Sequence, residues 1–542
     1  MRASFMAFVV VVGSAGCLVP AADFDEFGKF GAACASDDDC GGLVCDLNLD
    51  DPRCVEAPAE GEGEGEGEGE GEGEGEGEGE GEGEGELDPC LDPALDQESI
   101  PGGRLIADSN ADLEDFANQE RVVGTIELGE GVSNTANLSD VRCIDGSLIV
   151  RLTGNALDNL DLPALEHVTG SIIVADTAIA TITMPALREI DGSLKIGEAG
   201  FALAIENNAY PETQENLNLV ALSLPALTRI GDHLEVLGDL LGPSQDRLVS
   251  VNLPALVSVG GYVFFFENTF LESFNANGLE LIGDSFFFYD NGFDDEGPDC
   301  TVGLDALTSV GDDADPLSDI NRWDRAFREV GTPGSFVFAS SANPGTPFAG
   351  VESFSVDELA HVEGCVVVRT SRVEIAGFPA LESAGCVDVR DNARVNSASF
   401  PVLSDCCDEF PFDYAEINFE GNGSLSELEI GTPGTPVAIT GDLHLIDNFS
   451  LDNVCGLAAL HRVSGEVTIN DNAALTGLGG FTGLDAVGGE GPDDDGIGGA
   501  LTVVNNDVLP NCQATQLDVL IDNAACSSSG NAADSICVLS CP

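Results

Sequence analysis

From about residue 104 the chain repeats itself, and this limits what it can fold into more than anything else in the sequence. Pro163-Ala-Leu-Glu-His-Val-Thr-Gly-Ser-Ile-Ile-Val174, Pro185-Ala-Leu-Arg-Glu-Ile-Asp-Gly-Ser-Leu-Lys-Ile196 and Pro225-Ala-Leu-Thr-Arg-Ile-Gly-Asp-His-Leu-Glu-Val236 are three copies of one unit. Each has a Pro-Ala-Leu segment, a turn with Gly or Asp, and a three-residue strand. The strand cores are Ile126/Leu128, Leu148/Val150, Ile172/Val174, Leu194/Ile196, Leu234/Val236, Val263/Phe265, Phe286/Phe288, Phe336/Phe338, Val366/Val368, Val387/Val389, Ile417/Phe419, Leu443/Leu445, Val467/Ile469 and Leu501/Val503. Both members of every pair are apolar, and a period of two puts them on one face. One rung cannot bury that face alone, so the units must stack as parallel rungs of a continuous solenoid. Fourteen rungs would make a rod ~60 Å long.

A second signal follows the strands at Asn155, Asn268, Asn291, Asn392, Asn422, Asn448, Asn472 and Asn506. Asparagine bonds to nearby backbone and tolerates a left-handed turn, so a column of it at one corner can satisfy the stacked turn amides. Strand, Asn and a Leu-containing return together resemble the receptor L domain. That is the leucine-rich-repeat-like β-solenoid of insulin- and epidermal-growth-factor-type receptors and of fungal wall proteins. The resemblance covers residues 104–542, and it implies a mainly β, parallel β-solenoid fold and a role in recognition. Irregular rung spacing between 290 and 360 leaves one solenoid or two as alternatives.

Solenoid ends expose unpaired strand edges, so both should be capped. Asp112 to Gln119 reads as a short helix before the first rung, with Cys90 and Cys143 able to close it. At the far end Cys512 to Cys526 encloses an amphipathic stretch followed by Cys537 and Cys541. Cys365 and Cys386 sit one rung apart, which suits an inter-rung bridge, while Cys300, Cys406, Cys407 and Cys455 have several possible partners.

Seventeen cysteines point to an oxidising compartment. Arg2, the apolar Phe5 to Val12 and the small residues Ser14-Ala15-Gly16 before Cys17 read as an export signal. This segment resembles the lipobox of bacterial lipoproteins, with Ser14 where that family carries Leu or Val. The resemblance implies that Cys17 is lipidated and becomes the N-terminus, on the outer membrane because Leu18 is not Asp. The alternative is a secretory signal cut near Ala21 and a secreted protein.

Cys34, Cys40, Cys45 and Cys54 enclose a segment too short for a core, so two disulfides should support it. Asp46, Asn48 and Asp50 have the spacing of a calcium loop, but Asp51 replaces its turn glycine and Ala57 its bidentate ligand, so calcium is at most weakly supported. Glu60 to Glu86 is a strict Gly-Glu alternation that cannot bury a core and serves as a spacer. The expected organisation is a signal peptide (1–16), Cys-rich module (17–58), linker (59–88), first solenoid block (89–310), insertion with a short helix (311–350), second block (351–510) and Cys-rich cap (511–542).

Ninety-seven acidic against 19 basic residues give a net charge of −78. With two lysines and no basic run, the chain has nothing to neutralise phosphates, which excludes nucleic acid and anionic lipid surfaces as direct partners. Any membrane attachment is therefore by the lipid alone. No metal site or resident cofactor is expected. The five histidines do not converge on one site: His167 and His361 occupy the same repeat position, which reads as exposed, and His444 the outward middle of a strand. No GxSxG, HExxH or phosphate-loop pattern occurs, so the chain reads as non-enzymatic. The expected role is a lipid-anchored surface protein for recognition or adhesion, its partner a protein or glycan. A structural envelope protein and a carbohydrate-active β-helix enzyme are the alternatives.

With the flanking strand residues inward, the middle ones form an outward column that is polar at its ends. Phe264, Phe287, Val337 and Val367 interrupt it, flanked by Tyr262, Phe266 and Tyr289. So large an apolar stripe is either a binding face or covered. Ile320, Trp323, Phe327 and Val330, at helical spacing within the insertion, are the cover candidate.

Overall fold

The computed structural model describes residues 44–46, 53–55, 90, 95–154, 156–197, 218–238, 247–292, 300–311, 334–340, 351–407, 416–488, 500–521, 525–532, 539 and 541. The chain divides into two units, Met1–Glu84 and Gly85–Pro542. In the first, Val44–Asp46 pairs antiparallel with Arg53–Val55 and sets Cys45 opposite Cys54. The lipidation candidate Cys17, Cys34 and Cys40, and the Gly-Glu tract lie outside the described residues.

The second unit is a parallel β-solenoid. One long ladder carries the strand cores in continuous register from Gln97–Ala107 to Ala525–Ser529. All fourteen expected pairs lie in it, each residue at most 1% exposed. Two further rungs, at the ends, bring the ladder to sixteen. The first sets Leu105 and Ala107 beside Ile126 and Leu128; the last sets Cys526 and Ser528 beside Leu501 and Val503. A short 3-10 helix, Asn110–Phe116, precedes the Ile126/Leu128 rung as expected, but the added rung at Leu105 and Ala107 comes before it. Phe336–Ala339, inside the expected insertion, is itself a rung that pairs with Phe286–Tyr289 and His361–Arg369.

Each coil turns at the repeat motif. Proline suits the second position of a β-turn, and the turn closes with the Leu165 N–H on the Leu162 carbonyl (3.3 Å) and the Leu187 N–H on the Met184 carbonyl (3.2 Å). These four side chains are buried, so one motif both reverses the chain and fills the core. Short strands before the turn form a separate seven-stranded parallel sheet from Asn159–Asp161 to Val351–Ser355 and a three-stranded one from Ile375–Gly377 to Glu427–Ile430.

The asparagine ladder runs through the second half of the solenoid. The Asn422 side chain donates to the Val389 carbonyl one rung back (2.7 Å), while its backbone N–H donates to Asn448 Oδ1 one rung on (3.2 Å). Asn448, Asn472 and Asn506 repeat this on Phe419, Leu445 and Ile469. Asn268 and Asn291 form an earlier pair, and Asn392 opens the long run. Asn531 ends the run, and Ser371 stands at the same position before Asn392. Asn155 lies outside the described residues, five positions beyond Val150, where the ladder residues follow their strands by three. The left-handed conformation falls on the residue before each asparagine, not on the asparagine itself: Glu267, Asp290, Asp391, Asp447, Asp471 and Asn505 all have φ between 52° and 57°.

Disulfides join Cys90 to Cys143, Cys365 to Cys386, Cys406 to Cys407 and Cys455 to Cys541. Cys512 is also disulfide-bonded. Cys537 and the Cys526 side chain are not described. Cys300 is a free, buried thiol, pushed up to about 12 by burial.

Candidate functional site

The outward column of the long ladder is not an open aromatic platform. Tyr262, Phe264, Phe287, Val337 and Val367 are all at most 5% exposed. They form a hydrophobic cluster separate from the main core, with Leu237, Ala339 and the Cys365–Cys386 bridge. Parallel pairing stacks Phe264 beside Phe287, whose rings meet edge to face at 6.3 Å. Phe266 and Tyr289 remain half-buried at the margin, their rings stacked at 5.8 Å. Burial and the neighbouring Asp290 push the Tyr289 phenol up to about 12, so it stays protonated at neutral pH. The candidate covering residues Ile320, Trp323, Phe327 and Val330 lie outside the described residues.

Three polar members of the column, Glu235, Asp388 and Asn418, are also drawn in. Glu235, 3% exposed, accepts from the Tyr262 hydroxyl and from Lys195 Nζ (2.8 Å). Beside it His233 stacks on Tyr262 with centroids 3.8 Å apart. The hydrogen bond from His233, aided by Ser193, holds the Asp232 carboxyl below its ordinary value against the effect of burial. Further along, buried Asp388 accepts from Arg369 Nε (2.6 Å), Arg390 Nε (2.6 Å) and Asn418 Nδ2 (3.3 Å). Burial and Asp388 push the adjacent Glu416 carboxyl up. A buried charge left alone would be costly, and these pairs tie Glu235 and Asp388 into an internal network.

A second polar ladder was missed in the sequence. The Ser171 N–H donates to Ser147 Oγ and the Ser193 N–H to Ser171 Oγ, both at 3.0 Å, and the Cys365 N–H donates to Ser335 Oγ at 2.9 Å. Its signal was the Gly-Ser before the strand, at Gly146-Ser147, Gly170-Ser171 and Gly192-Ser193.

Among the described residues, the longest regular surface that stays open is the seven-stranded sheet. Its middle residues Leu160, Ile182, Leu222, Val251, Phe274 and Val302 are buried, and the flanking residues face outward in two aligned columns. One runs Asn159, Thr181, Ala221, Ser250, Ser273, Thr301, Ser353. The other runs Asp161, Thr183, Ser223, Asn252, Asn275, Gly303, Ser355. All fourteen are exposed or half-exposed, and only Asp161 is charged. Neighbouring rungs hold one another, as where Asn275 Nδ2 donates to Asn252 Oδ1 at 2.9 Å. Asparagine is depleted in strands, so strand formation does not explain Asn159, Asn252 and Asn275.

Of the histidines, His361 is partly exposed and bonds Ser383 across 2.6 Å, and His444 is half-buried near Glu416. His167, expected to be exposed, is instead 5% exposed. Comparison with family models, curated proteins and solved structures finds no match.

Proposed function

We propose that this chain is a lipid-anchored surface protein, of receptor L type, that recognises an uncharged, hydroxyl-rich glycan through its seven-stranded sheet. The observation that carries the reading is the two-column face of Ser, Thr and Asn, open to solvent and nearly free of charge in a chain of net charge −78. Short hydroxyl and amide groups both donate and accept, which matches the mixed donor and acceptor pattern of sugar hydroxyls. The columns lack the aromatic and Arg anchors that dominate protein–protein hot spots, which favours a glycan over a protein partner. Anchoring at Cys17 is supported by Ser14-Ala15-Gly16 before it, and the Gly-Glu tract would carry the solenoid away from the membrane. The role is non-enzymatic, a reading supported by the absence of a GxSxG, HExxH or phosphate-loop pattern and by His361 and His444 standing on separate rungs.

Probing an array of neutral and acidic glycans with the mature protein tests this. Retention on neutral polymers is expected. Retention confined to acidic glycans, or none at all, would count against it.

A further inference from the structure

The buried His167 lies where strand pairing brings together two carboxylates. His167 pairs in register with Glu189, and Glu189 with Arg229 on the next rung. Asp191 follows two residues after Glu189, on the same face. His167 Nε2 is 3.0 Å from Asp191 Oδ2, while Arg229 Nη1 holds the other oxygen, Oδ1, at 2.8 Å. One ligand atom each from His167, Glu189 and Asp191 lies within 4.8 Å of the other two.

Charge sets this cluster apart from its neighbours. On adjacent rungs each acid meets its own cation: Arg121 pairs with Asp145 at 2.7 Å and Arg142 with Glu166 at 2.6 Å. Here the one arginine, Arg229, engages Asp191 alone. Glu189, half-buried, has no ion-pair partner among the described residues. The two acids repel one another at this distance, and an added cation would relieve the repulsion.

We infer that His167, Glu189 and Asp191 form a binding site for a divalent transition-metal ion of the zinc class. A nitrogen with two carboxylate oxygens suits such an ion, whereas calcium and magnesium favour all-oxygen shells. Three protein ligands leave a position for water. Arg229 acts as a positioning residue, fixing Asp191 by its outer oxygen so that Oδ2 faces the imidazole. The ion would tie together two consecutive rungs near the end that the Cys90–Cys143 bridge also holds.

A chain this acidic binds cations diffusely, so the test must report nitrogen ligation. Cobalt(II) is titrated into the chelator-stripped mature protein, wild type and Glu189→Gln, a half-buried position whose neutralisation relieves the repulsion and so should not lower the melting temperature in chelator. His167→Gln is run beside it. One equivalent of cobalt with intense visible bands is expected, displaced by zinc, with affinity weakened roughly tenfold or more in both variants. Zinc should raise the melting temperature of the wild type but not of Glu189→Gln. Weak bands that titrate identically in all three proteins would overturn the site and leave only an ion-pair cluster.

Discussion

Replacing Asn448 by Ala removes one link of the asparagine ladder, and the hydrogen bonds around it fix the expected cost. Asn448 Nδ2 donates to the Phe419 carbonyl at 2.8 Å, and Asn448 Oδ1 accepts the Asn422 N–H at 3.2 Å. Both bonds are buried, and the Asn448 side chain is inaccessible to solvent. Alanine leaves one backbone acceptor and one backbone donor unsatisfied, at about 1–3 kcal/mol each, so the loss should be about 4 kcal/mol. The Asn422 side chain loses its bond to Asn448 Oδ1 but keeps the one to Val389, which confines the damage to two rungs. Urea unfolding gives the total, and amide hydrogen exchange shows where it falls: Asn422 should lose protection while Asn268 does not. A loss under about 1 kcal/mol with Asn422 still protected would refute the claim that the ladder satisfies otherwise orphaned backbone.

Gly260→Ala would place a Cβ 2.1 Å from the Gly231 carbonyl oxygen on the rung beneath, a backbone atom fixed by stacking. A loss of about 3 kcal/mol or more is expected in a thermal melt, and a melt within a degree or two of wild type would contradict the close stacking. Thr370 has a φ of 48°, where left-handed backbone costs about 1–2 kcal/mol. Thr370→Gly should therefore stabilise by roughly 0.5–1 kcal/mol after glycine's greater unfolded-state entropy is counted, and a destabilised variant would show that the threonine side chain matters more than its backbone. The Glu416 carboxyl is held above its ordinary value by burial and Asp388, so the folded state binds its proton more tightly than the unfolded one. Its stabilisation is present in acid and lost as pH rises through the raised folded value. Glu416→Gln should be more stable than wild type at pH 7, with the gap closing as pH falls through the carboxylate range. Parallel urea curves at all pH values would rule this out.

The long ladder was legible because its signal is local: pairs such as Phe286/Phe288 show the strand period within three residues. The end rungs escaped because they lack it. The first rung carries Ala107 and the last Ser528, where interior rungs have large apolar residues. The burial of His167 is non-local: its repeat position matches that of His361, but the Cys90–Cys143 bridge brings Cys90 against the His167 backbone. The left-handed corner was assigned one residue late, because Glu, Asp, Gly and Asn all occur at the true position while the more conspicuous, constant Asn follows it. The open face was hidden for another reason. Ser-Val-Asn at 250–252 and Ser-Phe-Asn at 273–275 are plain in the sequence, but three residues do not show which neighbours align them. The aromatic stripe was read correctly as a column, yet column membership does not specify exposure.

The recognition reading is tested most directly at Ser250 and Thr301, which stand on rungs either side of Ser273 and face outward. Ser250→Arg with Thr301→Arg puts two long charged side chains on the neutral columns without touching the buried Val251, Phe274 and Val302 beneath. Binding of the mature protein to the neutral glycan it retains most strongly should fall tenfold or more, about 1.4 kcal/mol, with the melting temperature unchanged. Unchanged affinity in a normally folded variant would mean that this face is not where the protein meets its partner.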